Sequence, residues 1–169
     1  MFNIKSNNIK RGKATENLFQ SILDSKKIYC KKSTKEEDIY KHFDFTVRLK
    51  RNLKTIDIKS IKKINKQFQD KYFYIEIKND WNYEGWVYCE TMDLVGFECF
   101  DNFMIYKRKH ILEYIKEKGI KSFTILRRKN YKNPQFESEC LLLKKDDIDH
   151  LLYYKLDKPK QKDNLNLID

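Results

Sequence analysis

Three segments of this chain alternate polar and apolar side chains, and this alternation limits the folds the chain can adopt more than any other feature. The segments are residues 42–47, 55–60 and 72–78. Successive side chains of a β-strand point to opposite faces, so each segment predicts a strand with one apolar and one polar face. The connection between the first two segments is short, which predicts an antiparallel hairpin.

Two further segments carry apolar residues at helical spacing. In residues 13–23 the apolar side chains recur along one helical face. Residues 107–118 show the same period, and Gly119 follows at a position typical of a helix end. Shorter apolar runs predict the remaining strands, at 85–89, 94–97, 103–106, 122–127 and 140–143, and a short last helix beginning at Asp146.

These segments predict a single α+β domain with a central mixed β-sheet flanked by helices. A chain of 169 residues suits one domain. We expect a flexible basic lead-in over residues 1–11, the domain over 12–156 and a polar tail over 157–169. Residues 24–41 predict a polar connection that includes a short strand over 28–30.

The composition predicts a polyanionic partner and a reducing compartment. The chain has 36 Lys and Arg against 25 Asp and Glu, a net charge of +11, which favours nucleic acid ahead of an anionic membrane surface. Its four cysteines are widely spread, without the spacing of a zinc site, so we expect neither a zinc nor a disulfide framework. No run approaches the roughly 20 apolar residues of a membrane span. We therefore expect a cytoplasmic protein, in the host cytoplasm if a phage or mobile element encodes it.

The polar faces of the three alternating strands carry ionisable side chains. They are His42 and Asp44 on the first, Asp57 and Lys59 on the second, and Glu76 and Lys78 on the third. Carboxylates on neighbouring strands repel one another unless a cation or a proton compensates them. Oxygen ligands of this kind suit Mg²⁺ or Mn²⁺, which also bind phosphate oxygens. An isolated D-x-K pair favours a solvated, ion-paired strand face, but with the carboxylates of the flanking strands and the basic charge the pattern favours metal-assisted phosphodiester hydrolysis.

Three of these strand residues, together with a glutamate of the first predicted helix, resemble the active-site signature of the PD-(D/E)XK nucleases. Glu16 lies at the margin of the apolar stripe of the first predicted helix, Asp44 lies in His-Phe-Asp-Phe, and Asp57-Ile-Lys59 supplies the D-x-K pattern. The superfamily includes restriction endonucleases, archaeal Holliday junction resolvases and many phage-encoded enzymes. The resemblance extends from about residue 12 to residue 118. It implies a restriction-endonuclease-like core, in which a helix, an antiparallel strand pair, further strands and a packing helix follow one another.

The resemblance also implies a role for each residue of the signature. Asp44 and Asp57 would ligate Mg²⁺ together with the backbone carbonyl of Ile58, and Glu16 would complete the site directly or through a water molecule. Lys59 would orient the attacking water or stabilise the charge that develops on the phosphorus centre. Mn²⁺ is expected to substitute for Mg²⁺.

The (D/E)-x-K pattern occurs twice, so two assignments of the catalytic lysine remain open. One assignment combines Asp44 with segment 57–59, and the other combines Asp57 with segment 76–78. We favour the first because it uses Glu16 and a tight hairpin, and because the second would leave Asp44 without a role. Additional candidates for the site are Glu76, Lys78 and His42, the last as a hydrogen-bonding group.

The sequence therefore predicts a Mg²⁺-dependent DNA endonuclease, selective for branched or structured DNA in the manner of Holliday junction resolvases. We expect a homodimer, because cutting two strands takes two sites. RNA remains open as a substrate. The alternative is a non-catalytic nucleic-acid-binding or inhibitory protein that retains the nuclease fold.

Basic and aromatic side chains outside the signature are candidates for contacts with nucleic acid. The candidates for phosphate contacts are Lys62, Lys63, Arg108, Arg127 and Arg128. Tyr83 and Trp86 border the loop after the third alternating strand. Stacking on a splayed base is open to both, and core packing is favoured for Trp86.

Overall fold

A six-stranded mixed sheet forms the centre of the protein in the computed structural model, which describes residues 4–61, 71–130 and 133–159. The helices and strands follow in the order α1 (Ile4–Ser25), β1 (Cys30–Lys32), α2 (Lys35–Lys41), β2 (Phe45–Leu49), β3 (Asn52–Lys59), β4 (Tyr72–Lys78), β5 (Leu94–Glu98), β6 (Asn102–Lys107), α3 (Arg108–Lys118), β7 (Thr124–Lys129), β8 (Glu137–Lys144) and β9 (Leu152–Asp157). Short 3-10 helices lie at Trp86–Tyr88, Ile120–Ser122 and Lys145–Leu151.

The strands form two sheets. The six-stranded sheet has the order β1-β2-β3-β5-β6-β9, and its neighbouring strands are antiparallel except for β3 and β5, which are parallel. The other sheet is antiparallel, with the order β4-β8-β7. The chain thus leaves the larger sheet after β3, forms β4 in the smaller one, and returns to the larger sheet at β5.

Helix α1 covers one face of the six-stranded sheet. Its side chains Phe19 and Leu23 are fully buried and pack in one cluster with Phe45 of β2 and Ile56 of β3. The ring centroids of Phe19 and Phe45 are 5.8 Å apart. Burial of a side chain of this size contributes about 1.5–3 kcal/mol, so this layer fixes the β2–β3 hairpin beneath the helix.

The three-stranded sheet and α3 cover the opposite face. Phe73 of β4 stacks on Phe97 of β5, with ring centroids 4.2 Å apart, in the cluster that also holds buried residues of α3. Because side chains alternate along a strand, Ile56 points toward α1 while Asp57 and Lys59 point toward the smaller sheet. The core therefore directs the polar residues of β3 into the space between the two sheets.

The structure confirms an α+β domain with a mixed sheet and flanking helices. The three alternating segments are β2, β3 and β4, with β2 beginning at Phe45. The third alternating segment does not neighbour the second, since β4 pairs with β8 and the parallel neighbour of β3 is β5. The apolar face of β4 packs onto the larger sheet through Phe73. The alternation in β4 therefore reflects packing against the larger sheet, although the strand itself belongs to the smaller sheet.

The helices differ from the prediction at the N-terminal side. Helix α1 begins at Ile4, so the predicted lead-in over 1–11 is helical from residue 4 onward. Gly12 lies inside the helix, where glycine costs roughly 1 kcal/mol relative to alanine but does not end a helix. No helix within the described ranges has the length and apolar character needed to cross a bilayer.

Other differences concern short elements. Helix α2 occupies part of the predicted connection over 24–41, and its signal is a capping box at Thr34 and Glu37. The strand predicted over 85–89 is the 3-10 helix Trp86–Tyr88, and strand β9 was not predicted. Of the predicted tail, residues 160–169 lie outside the described residues.

Candidate active site

Asp44 and Asp57 meet at one end of the β2–β3 hairpin. The register pairs Phe45 with Ile56, which puts Asp44 beside Asp57 on the neighbouring strand. The backbone N–H of Asp44 donates to the carbonyl of Ile56 at 2.9 Å, and the N–H of Ile58 donates to Asp44 Oδ2 at 2.7 Å. Both the backbone and the side chain of Asp44 are therefore held on β3.

The proximity of these carboxylates changes the protonation of the pair. Burial, and then the charge of Asp57, raise the pKa of Asp44 to about 8, although the N–H of Ile58 acts in the opposite direction. Glu16 adds a smaller repulsion to the same carboxyl group. Without a cation, Asp44 therefore holds a proton near neutral pH that a bound divalent ion would displace.

Lys59 lies on the same face of β3 as Asp57, and its ammonium forms an ion pair with Asp57 Oδ2. Its Nζ lies 5.2 Å from the centroid of the Trp86 ring. Burial lowers the pKa of Lys59, but the nearby carboxylates, of which Asp57 acts most strongly, raise it by more, so its pKa lies above the ordinary value. Lys59 is therefore a persistent positive charge beside a buried carboxylate.

Glu16 lies near the pair without touching it. Its Oε2 accepts from Lys32 Nζ of β1 at 2.9 Å. The preceding residue, Thr15, is buried and donates from its hydroxyl to Glu98 Oε2 at 2.8 Å, which fixes this turn of α1 against the end of β5. The charge of Glu16 still raises the pKa of Asp44, so the Glu16 carboxylate acts on the site through its charge.

Glu76 approaches Lys59 from the opposite wall. A cleft of about 110 Å³ between the two sheets is lined by Lys59, Glu76, Trp86 and Glu98 among others, and the charge of Glu76 contributes to the raised pKa of Lys59. Lys78 lies beyond a β-bulge that separates it from Glu76. The structure thus brings Glu76 to Lys59 but places it in a different sheet from the two aspartates.

His42 occupies the C-cap of α2 in the left-handed conformation, with φ of 53°. It lines a neighbouring cleft of about 220 Å³ together with Glu76, Glu84 and Trp86. His42 is therefore adjacent to the candidate site, on the side of the wider cleft.

The residues at the hairpin end fit a hard divalent cation. Within the described ranges, no three His, Cys, Asp or Glu side chains form a group able to hold a metal ion by themselves. Mg²⁺, however, keeps several waters and is usually held by one or two carboxylates, and Asp44 and Asp57 supply two. Ile58, whose carbonyl is also a predicted ligand, lies beside them on β3.

The candidates for phosphate contacts fall into three groups. Arg127 and Arg128 are exposed on β7 and pair with Glu139 and Asp80 respectively. For Arg108 the prediction of a surface contact is wrong, because its side chain is buried and donates to the carbonyls of Met92 and Val87 at 3.0 and 2.9 Å. Lys62 and Lys63 lie outside the described residues.

The different surroundings of Arg108 and Arg127 lead to opposite expectations on substitution. We expect Arg108→Ala to lower the free energy of unfolding by about 2–3 kcal/mol, because it leaves buried carbonyls without donors. Arg127→Ala removes an exposed ion pair and should cost less than about 1 kcal/mol. Urea denaturation followed by circular dichroism measures both, and equal losses for the two variants would contradict this assignment.

Sequence reasoning missed Glu98, which closes the same edge of the sheet. Its Oε2 accepts from Thr15 and from the backbone N–H of Ile61, and its Oε1 accepts from Lys158 Nζ at 2.9 Å. Glu98 ends β5, and β5 runs parallel to β3, so it lies at the same end as Lys59. The available signal was a carboxylate directly after an apolar strand. Only the parallel pairing of β5 with β3 shows that this carboxylate lies near Lys59.

Comparison of the chain with known proteins gave no relative, since no family model, curated protein or solved structure matches it. The residues of the site and their surroundings therefore carry the functional interpretation.

Proposed function

We propose that this protein is a Mg²⁺-dependent endonuclease that hydrolyses phosphodiester bonds in DNA. The observation that carries the proposal is the juxtaposition of Asp44, Asp57 and Lys59 at one end of a hairpin, where one carboxyl group has a pKa of about 8. A site that concentrates carboxylates against a persistent ammonium, in a chain of net charge +11, suits a cation and a phosphate.

The arrangement of the elements supports a restriction-endonuclease-like core. Helix α1, the antiparallel hairpin β2–β3, further strands and helix α3 follow in the order that the resemblance implies. The parallel pairing of β3 with β5 brings the ends of both strands to the edge where the candidate residues lie. Ligand sites commonly form at such an edge.

Each candidate residue has a task in hydrolysis. Mg²⁺ at Asp44 and Asp57 would supply charge stabilisation for the phosphate and a lowered pKa for a bound water. Asp44 and Asp57 would hold the ion, and the hydrogen bond from the N–H of Ile58 fixes the orientation of Asp44. Lys59 donates from its ammonium to the attacking water or to a phosphate oxygen, and stabilises the negative charge that develops in the transition state.

Cleavage assays on two DNA forms test the proposal. The purified protein is incubated with supercoiled plasmid and with a synthetic four-way junction, in Mg²⁺ or in EDTA. We expect cleavage of at least one substrate in Mg²⁺ and none in EDTA. Tight binding without cleavage in either Mg²⁺ or Mn²⁺ would refute the proposal and favour a non-catalytic nucleic-acid-binding protein.

The two assignments of the catalytic lysine predict different effects of Glu76. We expect Glu76→Ala to reduce the single-turnover cleavage rate less than about tenfold, because Glu76 faces Lys59 from another sheet, whereas Asp44→Ala should reduce it at least about 100-fold. Circular dichroism provides the control for folding. An inactive Glu76→Ala variant beside an active Asp44→Ala variant would support the assignment to Lys78.

A further inference from the structure

We propose that the exposed aromatic rings of the loop over residues 79–84 stack on unpaired nucleotides of the substrate. The enzyme would then act on DNA in which a single-stranded segment adjoins a duplex. This inference rests on the proposed function, because it specifies the form of DNA taken by the same site.

Two large aromatic side chains of the loop are open to solvent. Trp81 is 56% exposed and Tyr83 is 72% exposed. The Trp81 ring packs on one neighbour, Phe136, with ring centroids 5.7 Å apart. Aromatic rings on a surface are favourable stacking partners for bases, since every base has a π-face.

The backbone of the loop is held in one conformation. Asn79 Oδ1 accepts from the N–H of Trp81 at 2.9 Å and from the N–H of Tyr83 at 3.1 Å. Asn82 adopts the left-handed conformation, with φ of 63°, and its side chain accepts from the N–H of Glu137. A preorganised loop loses little entropy when its rings stack on a ligand, so the rings form a ready platform.

Charges around the loop largely balance one another. Asp80 lies between Asn79 and Trp81. Its Oδ1 and Oδ2 accept from Arg128 Nη2 at 3.0 and 3.1 Å, which neutralises its charge. Arg127 and Lys129 lie exposed on the same strand, and Asn130 at its end donates to the carbonyl of Asp80. Because Arg127 pairs with Glu139, the exposed Lys129 is the candidate on this strand for a phosphate contact.

The loop is continuous with the candidate active site. Asn79, Glu84 and Gly85 line the 220 Å³ cleft, whose walls include the rings of Trp86 and Tyr88. Trp86 and Glu76 also line the cleft that contains Lys59. A side chain at Gly85 would collide with the carbonyl oxygen of Glu76, so glycine allows the loop to lie directly against β4. The loop therefore borders the candidate active site through two clefts that share Trp86 and Glu76.

Stacking on these rings requires bases with a free face. In a duplex the base faces are covered by neighbouring pairs, whereas unpaired bases can be splayed onto aromatic side chains. The platform therefore favours single-stranded segments over uniform duplex.

Binding measured in EDTA separates this inference from catalysis. The probes are a fluorescein-labelled oligo(dT) of about 20 nucleotides and a blunt duplex of the same length, compared at one salt concentration. We expect the wild-type protein to bind oligo(dT) more tightly than the duplex. The double variant Trp81→Ala/Tyr83→Ala should lose about 5-fold to 100-fold in affinity for oligo(dT) and less than about twofold for the duplex.

Matched variants distinguish stacking from a change in structure. Tyr29→Ala removes a ring that is 47% exposed, next to β1 at an edge of the larger sheet, and should leave both affinities unchanged. Trp81→Phe keeps a ring and should bind oligo(dT) nearly as well as the wild type. Oligo(dT) should quench the tryptophan fluorescence of the wild type, and most of that quenching should disappear in Trp81→Phe, where Trp86 is the remaining tryptophan.

The outcomes distinguish the two proposals. Equal or tighter binding of the duplex, or wild-type affinity of the double variant for oligo(dT), would overturn the inference about unpaired nucleotides even if Mg²⁺-dependent cleavage is found. A fully paired duplex that is cut as fast as one with a single-stranded arm would overturn it too. Aromatic-dependent binding of oligo(dT) without any cleavage would support the binding platform and refute the endonuclease.

Discussion

Lys59→Ala should reduce the single-turnover rate of DNA cleavage by about 100-fold to 1000-fold, the usual effect of removing a group that stabilises transition-state charge. The ammonium of Lys59 is held between Asp57 and the Trp86 ring, so it is aimed at the carboxylate pair and not into open solvent. The affinity for DNA measured in EDTA should change little, because phosphate contacts elsewhere supply most of the binding. Cleavage of supercoiled plasmid in Mg²⁺ provides the measurement.

A lysine of the same strand supplies the control for this variant. Lys54 lies in the first half of β3 and forms an exposed ion pair with Asp93 at 3.2 Å. Lys54→Ala removes the same chemical group at the other end of the strand and should keep wild-type activity within about twofold. A Lys59→Ala variant that is folded and cuts within tenfold of the wild-type rate would remove Lys59 from the mechanism.

Asp44→Asn should abolish cleavage and yet stabilise the metal-free protein at alkaline pH. The pKa of Asp44 is about 8 in the folded protein, whereas its ordinary value, which applies to the unfolded chain, is 3.8. The folded state therefore binds the proton more tightly than the unfolded state does. The stability contributed by this group is therefore present at pH values below about 4 and is lost as the pH rises toward 8. Asparagine cannot ionise, and its side-chain oxygen can still accept from Ile58, so the variant avoids this loss.

Urea denaturation in EDTA at pH 5 and at pH 8.5 measures the effect. At pH 8.5 we expect the free energy of unfolding of Asp44→Asn to be about 2 kcal/mol higher than that of the wild type. At pH 5 the difference between the two should be smaller. Mg²⁺ should raise the stability of the wild type at pH 8.5, since it binds the folded state, and should not raise that of the variant. A variant less stable than the wild type at pH 8.5 would show that the ionised carboxylate is well accommodated.

Short sequence patterns predicted those features of the candidate site that depend on single strands, a short turn and one helix. Alternation placed Asp44, Asp57 and Lys59 on polar faces, and the short turn between β2 and β3 paired the strands that carry them. Helical periodicity placed Glu16 at the edge of the apolar stripe of α1, where its charge acts on Asp44. These inferences need only the pleat of a strand and the turn of a helix.

Features that depend on long-range pairing were not accessible in the same way. Alternation in β4 shows that one face is buried but not against which surface, so its place in a separate sheet could not be deduced. Arg108 was a candidate for a phosphate contact, but its side chain turns inward to the carbonyls of Met92 and Val87. The role of Glu98 became visible only through the parallel pairing of β3 and β5.

The central position of β3 also determines which parts of the site can move. Partners β2 and β5 hold it from both sides, so its amide hydrogens exchange with solvent only when the larger sheet opens. Asp57 and Lys59 are thus carried by one of the last segments to unfold, whereas the wider cleft beside them is lined in part by the 79–84 loop and the 3-10 helix Trp86–Tyr88. Under the proposed function, DNA should therefore enter and leave by displacement of this loop and 3-10 helix, while the backbone that carries Asp57 and Lys59 keeps its position.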